Sequence, residues 1–313
     1  GLGATALAHL QEQFEFPDDA VPVTVCDAVI AGWTGASPVL TPSFAASLGV
    51  YDLSARDWAH DVIEKWGIAR FAWPQVTCER AAVYELPWKG RVLSVYPTLG
   101  DHQSALLGTG LRLDELSINV STGSQIAALS PDFQPGPYQT RPYVDERYLN
   151  TISHLPDGRS LNLLIALLTE LPGSGGSPEA VWDYIHQATA KVPETSLSMD
   201  LSFYTGTARA EGSLQGLTEE TFTIGHLFRA AFAGMAASYH AYAKKLDLRL
   251  PWKTLALSGG LAQRSPALRE EIERAFQKPL CVTSATEETL RGLLEWGALC
   301  LSYGSGSIGA EAD

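Results

Sequence analysis

Apolar positions along the chain fall at two spacings. From residue 2 to 14 they recur at helical intervals and then meet Pro17-Asp18-Asp19, which predicts a helix ended by a turn. An apolar segment holding Asp27 and Trp33 covers 23–34, and a loop rich in Ser, Thr and Pro covers 35–47. Ala55, Trp58, Ala59, Val62, Ile63 and Trp66 follow Ser54 at helical spacing, so a Ser-capped helix is expected over 55–66. A short β-type run at 92–96 delivers the chain to Gly100-Asp101. The apolar, glycine-rich stretch 105–110 reads as a hinge.

The pattern changes beyond residue 110. Segments 117–121 and 125–129 read as a hairpin around Thr122-Gly123-Ser124, followed by a strand at 148–153. Helices are expected at 161–171 and 178–191, separated by a Pro/Gly/Ser loop, and a long Ala-rich helix at 223–246. Strand 254–257, helix 265–276, strand 280–283 and helix 287–303 close the chain, before a Gly/Ser/Ala tail expected to fray. Strands first, then alternating strands and helices, with no repeat at solenoid periods, predict an α/β fold of two lobes with a cleft between them.

Composition narrows the function classes. With 45% hydrophobic and 18% charged residues, the 313-residue chain can bury a substantial core. Lys and Arg total 22 against 35 Asp and Glu, a net charge of -13. That balance argues against a nucleic-acid partner, which needs a basic face, but not against a nucleotide held by backbone N–H groups. Four cysteines without C-x-x-C spacing, no apolar run near ~20 residues and no basic leader point to the cytoplasm and away from a membrane. The seven histidines do not cluster at metal-ligand spacing. The tryptophans of the first part are expected in the core, with Trp73 or Trp88 as candidates to stack on a sugar. The opening Gly1-Leu2-Gly3, already in a helical pattern, reads as the interior of a longer protein.

Three stretches can carry chemistry, and each has an ordinary alternative. Asp101 in Gly100-Asp101-His102-Gln103 follows a β-run, where a carboxylate can accept a hydroxyl proton or can instead cap a helix. Asn119-Val120-Ser121-Thr122-Gly123-Ser124 offers hydroxyls and bare backbone N–H groups to phosphate oxygens, or is a plain hairpin turn. Ser258-Gly259-Gly260-Leu261-Ala262-Gln263 leads from a strand to a helix, so its glycines can admit a flat ring or phosphate. The alternative is a tight strand-to-helix connection. No Gly-Lys-Ser/Thr follows, so it is not a Walker loop.

The order of these stretches resembles the FGGY family of carbohydrate kinases. Gly212-Ser213-Leu214-Gln215-Gly216-Leu217 with His226-Leu227-Phe228-Arg229-Ala230-Ala231-Phe232 is similar to the family's second signature, departing from it at Ala233. Tyr51-Asp52-Leu53…Asp57-Trp58 and Gly297-Ala298 are further matches. Within the family, the 118–128 stretch, Phe133-Gln134-Pro135 and Arg274-Ala275-Phe276 with Pro279-Leu280 resemble the sedoheptulokinase subgroup.

The resemblance implies an actin/hexokinase-like (ribonuclease H-like) fold of two lobes, the first incomplete. Residues 1–108 would be the rear of the sugar lobe, 109–313 the nucleotide lobe, with closure about Gly108–Gly110. It implies ATP and Mg²⁺, a small-molecule sugar substrate, no nucleic acid and no membrane, with a homodimer left open. Asp101 would be the catalytic base, and His102 and Gln103 would line the sugar pocket. Ser121, Thr122, Gly123 and Ser124 would take phosphates, and Gly259, Gly260 and Gln263 the adenosine. No side chain is assigned to a metal. The family's opening Asp-x-Gly-Thr/Ser-Thr/Ser turn does not occur in these 313 residues. The chain alone is therefore expected to turn over poorly.

Overall fold

A computed structural model describes residues 3–78, 80–121, 123–170, 176–203, 211–283 and 287–306. The first part is built from short pieces. Helix α1 (Gly3–Leu10) is shorter than the pattern suggested. Helix α2 (Val25–Thr34) forms from the 23–34 apolar segment; Thr24 Oγ1 caps it and Gly35 ends it at φ 69°. The presumed loop after it contains β1 (Val39–Leu40) and α3 (Pro42–Ser47). Strands β2 (Tyr51–Asp52) and β3 (Asp57–Trp58) form a small hairpin, and α4 (His60–Lys65) follows. Strand β4 (Gln75–Val76) pairs in parallel with β1, and β5 (Tyr84–Trp88) with β6 (Arg91–Val95) makes an antiparallel ribbon.

The expected helix over 55–66 is wrong in its first half. Asp52 Oδ1 accepts from the N–H groups of Ser54 and Ala55 at 2.7 and 3.0 Å, which reverses the chain. Trp58 then pairs with Tyr51 and enters the core, its indole N–H donating to Pro74 O at 2.9 Å. Ser54 caps nothing in this arrangement. Ala4, Leu40, Ala45, Val50, Tyr51, Trp58, Ile63, Ile68 and Phe71 make this part's core. Trp73 packs on Trp58 at 4.9 Å, whereas Trp33 and Trp88 are 66% and 52% exposed, against the expectation of a core role.

Helix α5 (Asp101–Thr109) joins this part to the main sheet. The 105–110 stretch is thus helical through Thr109 and stops at Gly110, φ 70°. The division drawn after residue 108 falls inside this helix.

The main sheet contains β7 (Glu115–Asn119), β8 (Ser124–Ser130), β9 (Gln139–Pro142), β10 (Tyr148–Leu155), β13 (Thr254–Ser258) and β14 (Leu280–Val282), in the order β14-β13-β7-β8-β10-β9. A 3₁₀ turn at Val144–Glu146 links β9 to β10. Strands β14, β13 and β7 are parallel, and the rest antiparallel. Between β10 and β13 lie α6 (Gly158–Leu168), α7 (Pro178–Ala190), the pair β11 (Ser198–Asp200) and β12 (Ser213–Gln215), and α8 (Ile224–Leu246). After β13 come α9 (Gly260–Arg264) and α10 (Pro266–Phe276), and α11 (Glu288–Gly306) follows β14.

Alternation along β8 assigns its two faces. Ile126 and Ala128 pack with Phe228, Phe232, Met235 and Tyr239 of α8, while Ala127 and Leu129 pack with Leu106 of α5 and Leu149 of β10. Helices cover both faces, so the open positions are at the strand ends. Among the described residues, no helix is long and apolar enough to cross a membrane.

Candidate active site

Because β7 and β13 run in parallel, their carboxyl ends lie side by side, with Asn119 paired to Ser258. Such ends are where open α/β sheets hold ligands. Asn119 Nδ2 donates to Ser258 Oγ at 2.8 Å, Val120 N to Ser258 O at 2.9 Å, and Leu261 N to Val120 O at 3.3 Å. The hairpin around 121–124 and the glycine turn at 259–260 are therefore one continuous surface. Gly259 makes this approach possible: it sits at φ 94°, ψ 151°, and an added Cβ would overlap Val120 O. Gly260 and Gly123 are exposed.

The remaining residues assigned to this surface have distinct placements. Ser121 Oγ donates to Asn119 Oδ1 at 3.0 Å and Gly123 O at 3.1 Å, which fixes the turn. Thr122 lies outside the described residues. Ser124 faces inward: its Oγ accepts from Tyr239 O–H at 3.1 Å in a fully buried setting. Gln263 donates its side-chain amide to Thr283 O at 3.3 Å, so it ties α9 to the chain after β14.

Two cations that sequence reading missed flank these turns. Gly158 N donates to Ser121 O, which brings Arg159 to the hairpin; Arg159 Nη2 stands 3.8 Å from where a Gly123 Cβ would be. Asp157 is 1% exposed, caps α6 and accepts from Arg159 at 2.7 and 3.0 Å. The signal was the adjacent Asp157-Gly158-Arg159, since an N-cap carboxylate two residues before an arginine can aim it. Arg264 Nε donates to Gly260 O at 3.1 Å, placing a second guanidinium at the other turn.

Asp101 opens α5 directly after the N-cap Gly100 and is exposed. Its Oδ1 accepts from His102 N at 2.7 Å. Among the described residues, no hydrogen bond joins Asp101 to the hairpin or the glycine turn. His102 is held neutral: burial, aided by Arg141, pushes its imidazole down to about 4 against the opposing pull of Asp101, and among the described residues its buried Nε2 has no hydrogen-bond partner. Gln103 is 3% exposed and gives its amide to Pro142 O at 3.2 Å. Here it fixes α5 to the sheet rather than facing open space. Among the described residues no group of three or more His, Cys, Asp or Glu side chains could hold a metal ion.

A cavity of about 460 Å³ lies apart from these turns, lined by Tyr51, Arg56, Cys78, Arg80, Tyr148 and Trp296 among others. None of the sequence-predicted site residues lines it. Burial pushes the Tyr51 hydroxyl there up to about 12.

No protein-family model matches the chain. It is 26% identical to sedoheptulokinase of Mus musculus and 24% identical to that of Homo sapiens, over 82% of this chain in each case. The chain is related to the FGGY carbohydrate kinases. It spans 58% of the length of each sedoheptulokinase. The chain also shares the actin/hexokinase-like fold of solved carbohydrate kinases. Xylulose kinase from Rhodospirillum rubrum matches with a TM-score of 0.80 at 20% identity, covering 95% of this chain and 63% of the other. Gluconate kinase from Lactobacillus acidophilus gives 0.78 at 16% identity, over 96% and 63%. Plasmodium falciparum glycerol kinase, solved with ADP, gives 0.74 at 16% identity, over 89% and 58%.

Proposed function

We propose that this chain serves ATP-dependent phosphorylation of a ketose hydroxyl, with sedoheptulose converted to sedoheptulose 7-phosphate. The observation that carries the reading is the joined surface of the 119–124 hairpin and the 258–261 turn at the sheet's carboxyl edge, flanked by Arg159 and Arg264. Exposed backbone at Gly123 and Gly260 suits phosphate oxygens, and guanidiniums at the rim suit their charge. The similarity to two sedoheptulokinases supports the choice of sugar. Free thiols at Cys26, Cys78, Cys281 and Cys300 agree with a cytoplasmic setting.

In this mechanism Asp101 accepts the proton of the attacking hydroxyl while the sugar oxygen bonds to the γ-phosphorus and the bond to the ADP oxygen breaks. Phosphoryl transfer asks a protein chiefly for in-line positioning and charge neutralisation. Position N1 of α5 suits Asp101, because the helix N-terminus favours the carboxylate form. Arg159 and Arg264 neutralise the phosphates. Mg²⁺, carried by the phosphate oxygens and water as is usual for this ion, would screen the charge that develops on them. Neutral His102 can hydrogen-bond a sugar hydroxyl without adding charge next to the base.

A coupled ADP-release assay with sedoheptulose, xylulose, gluconate and glycerol tests the reading. Sugar-dependent release with sedoheptulose preferred, falling at least 100-fold in Asp101→Asn with sugar binding retained, is the expected result. Near-normal turnover of Asp101→Asn would remove its role. A second reading, sugar or nucleotide binding without turnover, draws on Gln103 and Ser124, whose polar atoms are committed within the protein. Ligand-induced thermal stabilisation with no ADP release would favour it.

A further inference from the structure

We infer that Trp296 and Gly292 of α11 are positioning residues that hold the start of α5, and with it Asp101, in a fixed place. The inference rests on the proposed role of Asp101.

Three contacts converge on this short helix. The Trp296 indole N–H donates to Pro97 O at 2.9 Å, across 199 residues of sequence, and so pins the segment that enters α5. Four residues earlier on α11, Gly292 lies against the helix itself. An added Cβ there would overlap Ser104 O and stand 2.5 Å from Ser104 C and 3.0 Å from Gly108 N. Gly108 reciprocates, since its Cβ would overlap Glu288 O and lie 2.7 Å from Gly292 N. The two helices touch backbone to backbone, so a side chain on either glycine must push α5 away. On the sheet side, Gln103 holds Pro142 O.

Trp296 is itself fixed. Arg80 lies over its ring at 5.8 Å and pairs with Asp145 in the turn between β9 and β10. That turn follows Pro142, the acceptor of Gln103. Both ties on α5 thus trace back to one edge of the main sheet, the sheet that also carries the hairpin and the glycine turn. The base and the phosphate surface would share one rigid reference, although no hydrogen bond among the described residues joins them. Displacement by about 1 Å of a base set up this way is enough to cost on the order of 100-fold in rate.

Amide hydrogen exchange on the intact 313-residue chain tests the inference without requiring turnover. In Trp296→Phe, which keeps most of the ring but loses the donor, exchange over residues 102–106 should accelerate at least tenfold. Amides in α8 and β8 should stay within twofold of the parent protein. Unchanged exchange at 102–106 overturns the inference, and so does equal acceleration in α8 and β8, which would mark a general loss of stability. Gly292→Ala should give the same localised signature; if it does not fold, Trp296→Phe decides alone. In the ADP-release assay Trp296→Phe should lower kcat at least tenfold with sugar KM unchanged, and a raised KM with intact kcat counts against it. Asp101→Asn reports separately on the base. Full activity there, with localised exchange in Trp296→Phe, would sink the base assignment and leave the α11 tie standing.

Discussion

Gly259→Ala isolates the geometry on which the phosphate surface depends. At φ 94° and ψ 151° the residue occupies a region that is in practice reserved for glycine, and forcing a side chain there costs roughly 1–3 kcal/mol. The new Cβ would also overlap Val120 O and stand 2.6 Å from Val120 C, both backbone atoms of a residue that is fully buried. Neither partner is the end of a flexible side chain, so relief requires β7 and β13 to separate at their carboxyl ends, adding about 1–3 kcal/mol of overpacking strain. The sum, about 2–6 kcal/mol, corresponds to a melting temperature lower by roughly 5–20 °C for a chain of this size. Gly260→Ala is the matched control, because among the described residues its Cβ would meet only Arg264 Nη2 at 3.5 Å, with the backbone in an ordinary region. Scanning calorimetry should show Gly260→Ala near the parent and Gly259→Ala far below it. Titration with ADP should show weakened binding for whatever Gly259→Ala protein folds. A Gly259→Ala melting temperature within about 2 °C of the parent would refute the close approach of the two turns.

Other outcomes follow from the same contacts. Arg229 is 2% exposed and bonds Glu271, itself buried, at 3.1 Å and Val192 O at 2.7 Å. Arg229→Met should destabilise by about 1–3 kcal/mol in urea melts, because Val192 O loses its donor while Glu271 keeps Arg274 at 2.7 Å. His102 has a folded pKa pushed down to about 4, below its ordinary 6.5, so the fold prefers the neutral ring. Its contribution is complete above about pH 6.5 and is lost as pH falls from there towards 4. A downward shift of this size corresponds to about 3 kcal/mol, and urea melts of His102→Gln should show that much less loss across this window. Gly297→Ala, with no described residue within 4 Å of its Cβ, should leave the melting temperature unchanged or raised, in contrast to Gly292→Ala.

The long periodic elements were legible in the sequence. Helix α8, with Thr223 as its cap, and helices α7 and α10 stand where the pattern puts them, because α8 buries apolar positions against strands β8 and β10, and α7 and α10 bury theirs against α8. The three motif stretches could also be named from their order, and the first of them does begin a helix. Short elements were less readable. The 55–66 spacing fits a helix as well as it fits the β2–β3 hairpin, and only the local bonds of Asp52 and the burial of Trp58 decide between them. Likewise the glycines at 105–110 suggested a hinge, yet Gly108 is there to admit Gly292 across a helix crossing.

What the sequence determined by itself was local: residue types that favour a cap, a tight turn or an apolar face, and the order in which they come. Only the tertiary structure decided which of those residues remain available for chemistry. Ser124 and Gln103 have their polar atoms committed to Tyr239 and Pro142, while Arg159, 36 residues beyond Gly123, is brought to the hairpin. These outcomes depend on pairing between distant strands and helices. A linear pattern records each residue's preference for burial or exposure, but not the partner that satisfies it.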